Sequence, residues 1–329
     1  MRTFRRPRLT PPTLRRGGRG GNKAALNEEC FAKSDPDSIG FPGHWIELDV
    51  RGALHAMQGR ICAYCSRQLE RYDELEVEHF RPKNNVADDP THGGYWWLAY
   101  EFDNYFLGCR TCNATSTKGS KFPLLDATAV RVTWHTRGAI AKEPRAFVDP
   151  CVDVWLDDGF VVKVEDLTCI FEASPGLSDD QRNRFDYTCK FFHLNDDPEV
   201  LRARVGLYDL VLDSLANKKD CAVTPLACRF MPYSAVVRQL LKVSAPHLLP
   251  TPEQELEYLL GELVRDLLNA LELMERDAEN ERAVRLATKL MWAFAVLWKD
   301  PPSGTPEVIG VFLRERGLEE KVREFYNRL

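Results

Sequence analysis

Four cysteines in two Cys-x-x-Cys pairs, Cys62/Cys65 and Cys109/Cys112, constrain this chain more than any other feature. Each pair places two thiolates on a tight turn, and four soft sulfur ligands in tetrahedral number suit zinc. With all four positions filled by protein, such a metal has no opening for water and is structural. The 43 residues between Cys65 and Cys109 exceed what a simple zinc ribbon needs, so a functional insertion is expected there. A redox role for the pairs would call for a thioredoxin-like strand–helix–strand context, which the surrounding sequence lacks. Cys30, Cys151, Cys169, Cys189, Cys221 and Cys228 are scattered. In a chain of 329 residues they read as mostly buried thiols of a reducing cytoplasm, since disulfide frameworks belong to short secreted chains.

The insertion carries Glu78-His79, Asn104 lies five residues before Cys109, and Asn113 directly follows Cys112. Adjacent residues at a strand end point to opposite faces. One of Glu78 and His79 can therefore face a metal while the other faces a water beside a scissile phosphate. The knuckles pin the second strand and the helix start that carry the two asparagines, bringing Asn113 back towards Glu78. Arg81, Lys83, Lys118 and Lys121 flank these residues and are candidates to grip phosphates on either side of a cut. Trp96, Trp97, Tyr100, Phe102 and Tyr105 are read as the core of the insertion rather than as platforms for bases. The remaining histidines, His44, His55, His92, His135, His193 and His247, lack ligand spacing and are read as structural or exposed.

Outside this region the chain reads as follows. Residues 1–24 are rich in Arg, Gly and Pro, with eight basic residues and no acid between Met1 and Lys23. They are expected to form an arm with little fixed structure that touches phosphates locally, although the whole chain carries a net charge of −5. The opening lacks an apolar run, so it is not a secretory signal, and no stretch is apolar enough to span a membrane. WIELDVRGALHAM predicts a helix before the first knuckle, LEVEHF a strand, and VRVTWH and GFVVKV two more short strands. From about Asp179 the pattern is helical. Leu256, Leu259, Leu260, Leu263, Val264, Leu267, Leu268, Leu271 and Met274 share one face, and a second helix over about 282–298 ends at PPSGTP.

EHF…DNYFLGCRTCN…KG resembles the HNH nuclease motif in its four-cysteine, zinc-bound version. More narrowly, CAYC…EVEHFRPK…GGYWWLAYEFDNYFLGCRTCN…KGSKFPL is similar to the PtuB-like HNH component of Septu-type anti-phage defence, also found attached to some retrons. The likeness is specific over about Cys62–Leu124 and weaker along about two thirds of the chain. It departs from the commoner pattern in having Glu78 for Asp and Asn113 for His; both replacements keep oxygen ligands suited to a hard cation.

The resemblance implies an α+β fold: a zinc-supported ββα-metal nuclease core with a mainly α-helical C-terminal region. It divides the chain into a basic, partly disordered arm (1–44), a four-cysteine nuclease domain (45–135), mixed short strands and helices (136–215), and a helical region suited to partner docking (216–329). It implies that His79 is the general base, that Asn104 orients it, and that Glu78 and Asn113 hold one Mg²⁺ or Mn²⁺. The expected activity is hydrolysis of nucleic-acid phosphodiesters, DNA first. The expected partner is a PtuA-like ABC/SMC-type ATPase, with a retron reverse transcriptase complex as a further one. Cleavage of RNA such as tRNA, and a zinc-knuckle adaptor without catalysis, are the competing readings.

Overall fold

The structure is a computed structural model that describes residues 2–33, 38–69, 76–165, 168–277, 280–300 and 306–327. It mixes helix and sheet, with helix dominant after residue 178. Helix α1 (Arg19–Ala32) precedes α2 (Leu48–Gln58), which leads into the first cysteine knuckle. Strands β1 (Glu76–His79) and β2 (Tyr105–Gly108) form an antiparallel hairpin, and the single turn α3 (Arg110–Asn113) follows β2 directly. A second hairpin joins β3 (Phe160–Glu165) to β4 (Thr168–Ala173). Then come α4 (Asp179–Phe191), α5 (Pro198–Ala216), α6 (Asp220–Leu226), α7 (Ser234–Ser244), α8 (Pro252–Arg276), α9 (Glu281–Lys299), α10 (Pro306–Arg314) and α11 (Glu319–Asn327).

The long helices form where their sequence supplies both caps and stripes. Thr251 caps α8 by accepting from the Gln254 amide at 3.3 Å, with Pro252 at the first helical position. Leu256, Leu259, Leu260, Leu263, Val264 and Leu267 are then buried against α9 and its neighbours. Leu268, at the edge of that stripe, is 46% exposed, so the predicted face is wider than the buried one. Asn280 caps α9, whose Leu290, Ala293, Phe294 and Leu297 face inward. The interruption expected at PPSGTP falls almost wholly outside the described residues.

One main core runs from Phe4 to Val322, and a smaller one lies between α5, α6 and α7. Helix α2 packs along α9 so closely that a Cβ on Gly52 would lie 2.6 Å from the Lys289 carbonyl oxygen and from Trp292 Cβ. The helix that delivers the first knuckle is therefore seated on the C-terminal helices.

Residues 2–24 differ from the loose arm expected of their composition. Phe4 and Leu14 are buried, and the Phe4 amide donates to the Pro150 carbonyl at 2.8 Å. Arg6 donates to the carbonyls of Phe102, Tyr105 and Asp103 at 2.7–2.9 Å. Arginine is suited to this, because its fork of donors satisfies loop carbonyls that sheet and helix leave unpaired. VRVTWH also departs from expectation. No strand forms there: Val132 donates its amide to the Glu143 carboxylate at 2.9 Å, and a 3₁₀ segment runs from Trp134 to Lys142. Among the described residues no helix is long and apolar enough to cross a membrane.

Candidate functional site

The site begins with the cysteine tetrad. Cys62, Cys65, Cys109 and Cys112 are all buried, and their sulfurs lie within 4.8 Å of one another. Cys65 and Cys109 sulfurs are 3.7 Å apart. Four thiolates at about 2.3 Å around zinc would be spaced by about 3.8 Å, so this donor set fits a tetrahedral metal. Local backbone geometry produces the convergence. In the first knuckle Ser66 takes a left-handed conformation (φ 60°), which lets its amide return to the Cys62 carbonyl at 3.1 Å. In the second, Cys109 caps α3 and its sulfur accepts from the Cys112 amide at 3.4 Å. Burial pushes the Cys62 thiol well above its usual range, while hydrogen bonds from Cys112, Cys62 and Cys65 pull Cys109 far down. Loading a metal would release the protons that remain.

The tetrad is tied to the hairpin by residues that spacing alone does not flag. The Ala63 amide donates to the Leu107 carbonyl at 3.0 Å. Gln58, fully buried at the end of α2, accepts from the Leu107 amide at 2.9 Å and donates to the carbonyls of Ile61 and Leu107 at 3.2 Å. Tyr64, inside the first knuckle, stacks on Phe192 at 4.1 Å and donates its hydroxyl to Glu78 Oε1 at 3.3 Å.

Register places the rest. Glu76, Val77, Glu78 and His79 face Gly108, Leu107, Phe106 and Tyr105 respectively, so Glu76 and Glu78 share one face of the hairpin and His79 lies on the other. Glu78 is 3% exposed; burial raises its pKa, and the Lys118 ammonium opposes that shift. Lys118 is completely buried, in contact with Glu78 Oε1, and also donates to the His79 carbonyl at 2.9 Å. Its own amide donates to the Cys112 carbonyl at 3.2 Å, which links the metal tetrad to the acid. Lys118 thus departs from the surface, phosphate-gripping position expected of it. A buried carboxylate needs a counter-ion, and this lysine supplies it.

His79 is enclosed by Trp45 at 4.7 Å and Tyr105 at 4.9 Å between ring centroids, both edge-on. Its Nε2 lies 3.1 Å from the Ala99 carbonyl oxygen, to which Tyr105 also donates. A carbonyl only accepts, so Nε2 carries the proton and Nδ1 keeps its lone pair. Burial, aided by the charge of Lys83, depresses the His79 pKa to about 3, so the imidazole is neutral at pH 7. Asn104 is buried, and its side-chain hydrogen bonds go to the loop rather than to His79. Its Oδ1 accepts from the Arg81 amide at 2.8 Å, and its Nδ2 donates to the carbonyls of Arg81 (2.9 Å) and Leu98 (3.2 Å). It therefore fixes the loop whose next carbonyl, that of Ala99, holds His79.

Asn113 returns to the Glu78 side, as its position after Cys112 suggests. Its Nδ2 donates to Glu76 Oε2 at 2.7 Å. A Cβ built on Gly108 would lie 3.5 Å from Glu78 Cβ and 3.6 Å from Asn113 Cβ, so the residue between them leaves a floor without a side chain. Glu78 and Asn113 could each offer an oxygen over that floor to a hard cation.

The other expected cations are engaged within the protein. Arg81 pairs with the fully buried Glu143 at 3.0 Å and donates to the Ile140 carbonyl at 3.2 Å. Lys121 donates to the carbonyls of Thr115, Ser116 and Thr117 at 3.3, 3.1 and 2.6 Å. Lys83 lies half-buried with its ammonium 4.5 Å from the centre of the Trp45 ring, at the edge of the His79 pocket. Trp96, Tyr100, Phe102 and Tyr105 are buried and Trp97 partly so, which makes them the core of the insertion.

Two curated proteins are similar to part of this chain. Septu protein PtuB from Bacillus mycoides (strain KBAB4) is 34% identical over 79 residues, which is 23% of this chain and 26% of that protein. A protein from Vibrio cholerae serotype O1 biovar El Tor, named "Retron Vc95 putative HNH endonuclease", is 36% identical over 101 residues, 30% of this chain and 45% of that protein. The matches thus span between a quarter and under half the length of these relatives. They support an HNH, PtuB-like relationship over the matched residues. No family model matches the chain, and no solved structure matches it.

Proposed function

We propose that this chain is a metal-dependent HNH endonuclease that hydrolyses phosphodiester bonds of DNA in anti-phage defence, with residues 45–135 as its zinc-supported ββα-metal nuclease core. The observation that carries the reading is an enclosed His79, its Nε2 held on the Ala99 carbonyl, on the same hairpin as Glu78, which with Asn113 flanks the bare Gly108 floor. An adaptor that only binds would need none of these groups. Cys62, Cys65, Cys109 and Cys112 would hold zinc as a rigid base for the hairpin. Glu78 and Asn113 would hold Mg²⁺ or Mn²⁺, which when bound offsets charge on the phosphate and on the departing 3′ oxygen. His79 takes a proton from water at Nδ1, and its Nε2–H stays on Ala99. Asn104 keeps that carbonyl in place through Leu98. Lys83 is the cation best placed at the mouth of the pocket to meet a phosphate. A PtuA-like ATPase of the ABC/SMC type is the proposed partner, and a retron reverse transcriptase complex a further one. Because α2 is packed on α9, docking is best tested with surface substitutions that leave the shared core whole.

The test is an assay of the purified chain, with and without the ATPase, on supercoiled plasmid, single-stranded DNA and tRNA. Plasmid nicking should require added Mg²⁺ or Mn²⁺ and fall to background without them. Undiminished cutting in the absence of a divalent cation, or no cutting of any substrate under any condition, would contradict the proposal. Cutting confined to tRNA would move the substrate to RNA.

A further inference from the structure

The cation site proposed above uses Glu78 and Asn113, and neither the motif nor the relatives' names assign any role to Glu76. Yet Glu76 makes the hydrogen bond that sets how Asn113 is presented. Glu76 precedes Glu78 by two residues, so the pleat puts both carboxylates on the same face of β1. Its register partner is Gly108, whose missing side chain forms the floor between Glu78 and Asn113. Glu76 Oε2 accepts from Asn113 Nδ2 at 2.7 Å. An amide has one donor end and one acceptor end. With the donor end held by Glu76, Oδ1 is left without a hydrogen-bond partner among the described residues. That oxygen is the atom a hard cation would take.

We infer that Glu76 is a positioning residue of the cation site: it turns the Asn113 side chain so that its oxygen, not its nitrogen, faces the metal. The inference rests on the proposed nuclease reading and narrows it. Without Glu76 the amide can rotate, and part of the population presents NH₂, which no cation accepts. Groups that orient metal ligands typically contribute about 10–100-fold to affinity.

The experiment measures Mn²⁺ binding to the whole 329-residue, zinc-loaded chain by electron paramagnetic resonance, with melting temperature as a check on folding. Glu78→Gln marks the loss of a direct ligand. Glu76→Ala should bind Mn²⁺ about 10–100-fold more weakly than the wild type. Glu76→Gln should recover most of that affinity, because its amide oxygen can still accept from Asn113. Mn²⁺ affinity unchanged in Glu76→Ala would overturn the inference. So would Glu76→Gln binding as poorly as Glu76→Ala, since the carboxylate would then act as a ligand. A wild-type chain that binds no Mn²⁺ would overturn the proposed site itself, a separate and recognisable failure.

Discussion

With zinc on the cysteine tetrad, as proposed, Cys112→Ser is expected to cost the protein that metal and, with it, the ordered hairpin. The sulfur of Cys112 belongs to a buried tetrad, and its residue also anchors two neighbours: its amide donates to Cys109 Sγ and its carbonyl accepts from the Lys118 amide. Zinc held by thiolates contributes on the order of 10–16 kcal/mol to the folding of small zinc peptides, whereas whole domains are stable by about 5–15 kcal/mol. Losing one of four ligands should therefore unfold the region around the knuckles rather than merely loosen it. Amide exchange should show protection lost first in β1, β2 and α3, and later in α8 and α9, which pack on each other. The variant should purify without bound zinc, whereas brief treatment with a chelator should leave the metal of the wild type in place. Equal zinc content and equal melting temperature in the two proteins would show that the tetrad is not a structural metal centre.

Lys118→Met should be the most damaging substitution outside the tetrad. Methionine reproduces the lysine stem as far as Cε but leaves Glu78, 3% exposed, without its ammonium partner. Breaking a buried ion pair from one side typically costs about 3–5 kcal/mol, because the remaining charge stays buried. The hydrogen bond to the His79 carbonyl goes with it. Urea denaturation should show that loss. Magnesium provides a sharper check. If Glu78 is a cation ligand, added Mg²⁺ restores a positive charge beside it and stabilises Lys118→Met more than the wild type. A variant as stable as the wild type would mean that Glu78 is held neutral without its lysine.

What could be read from residues alone follows from how local each signal is. The cysteine spacing, the alternation of LEVEHF and the stripes of α8 and α9 are near-neighbour patterns, and they led to the metal tetrad, to β1 and to the long helices. Glu76 was legible by the same period of two, but its meaning required Asn113, 37 positions away. Gln58 and Tyr64 act through partners at distances along the chain that no local period encodes. Lys118 reads in sequence as a surface cation for phosphates, and only the closed fold places its ammonium in the interior. The basic amino terminus misled for a related reason. Composition predicts freedom, yet Arg6 and Phe4 find carbonyls and a core cleft supplied by residues about a hundred or more positions later.

In the proposed mechanism His79 abstracts the proton of the attacking water. That step is tested most directly by the single-turnover cleavage rate of His79→Ala at saturating Mg²⁺, beside the wild type. The rate should fall by about 10²–10⁴-fold, the usual worth of a positioned general base, with metal content, Mn²⁺ affinity and melting temperature kept near wild type. A folded His79→Ala protein that cuts at the wild-type rate would contradict it.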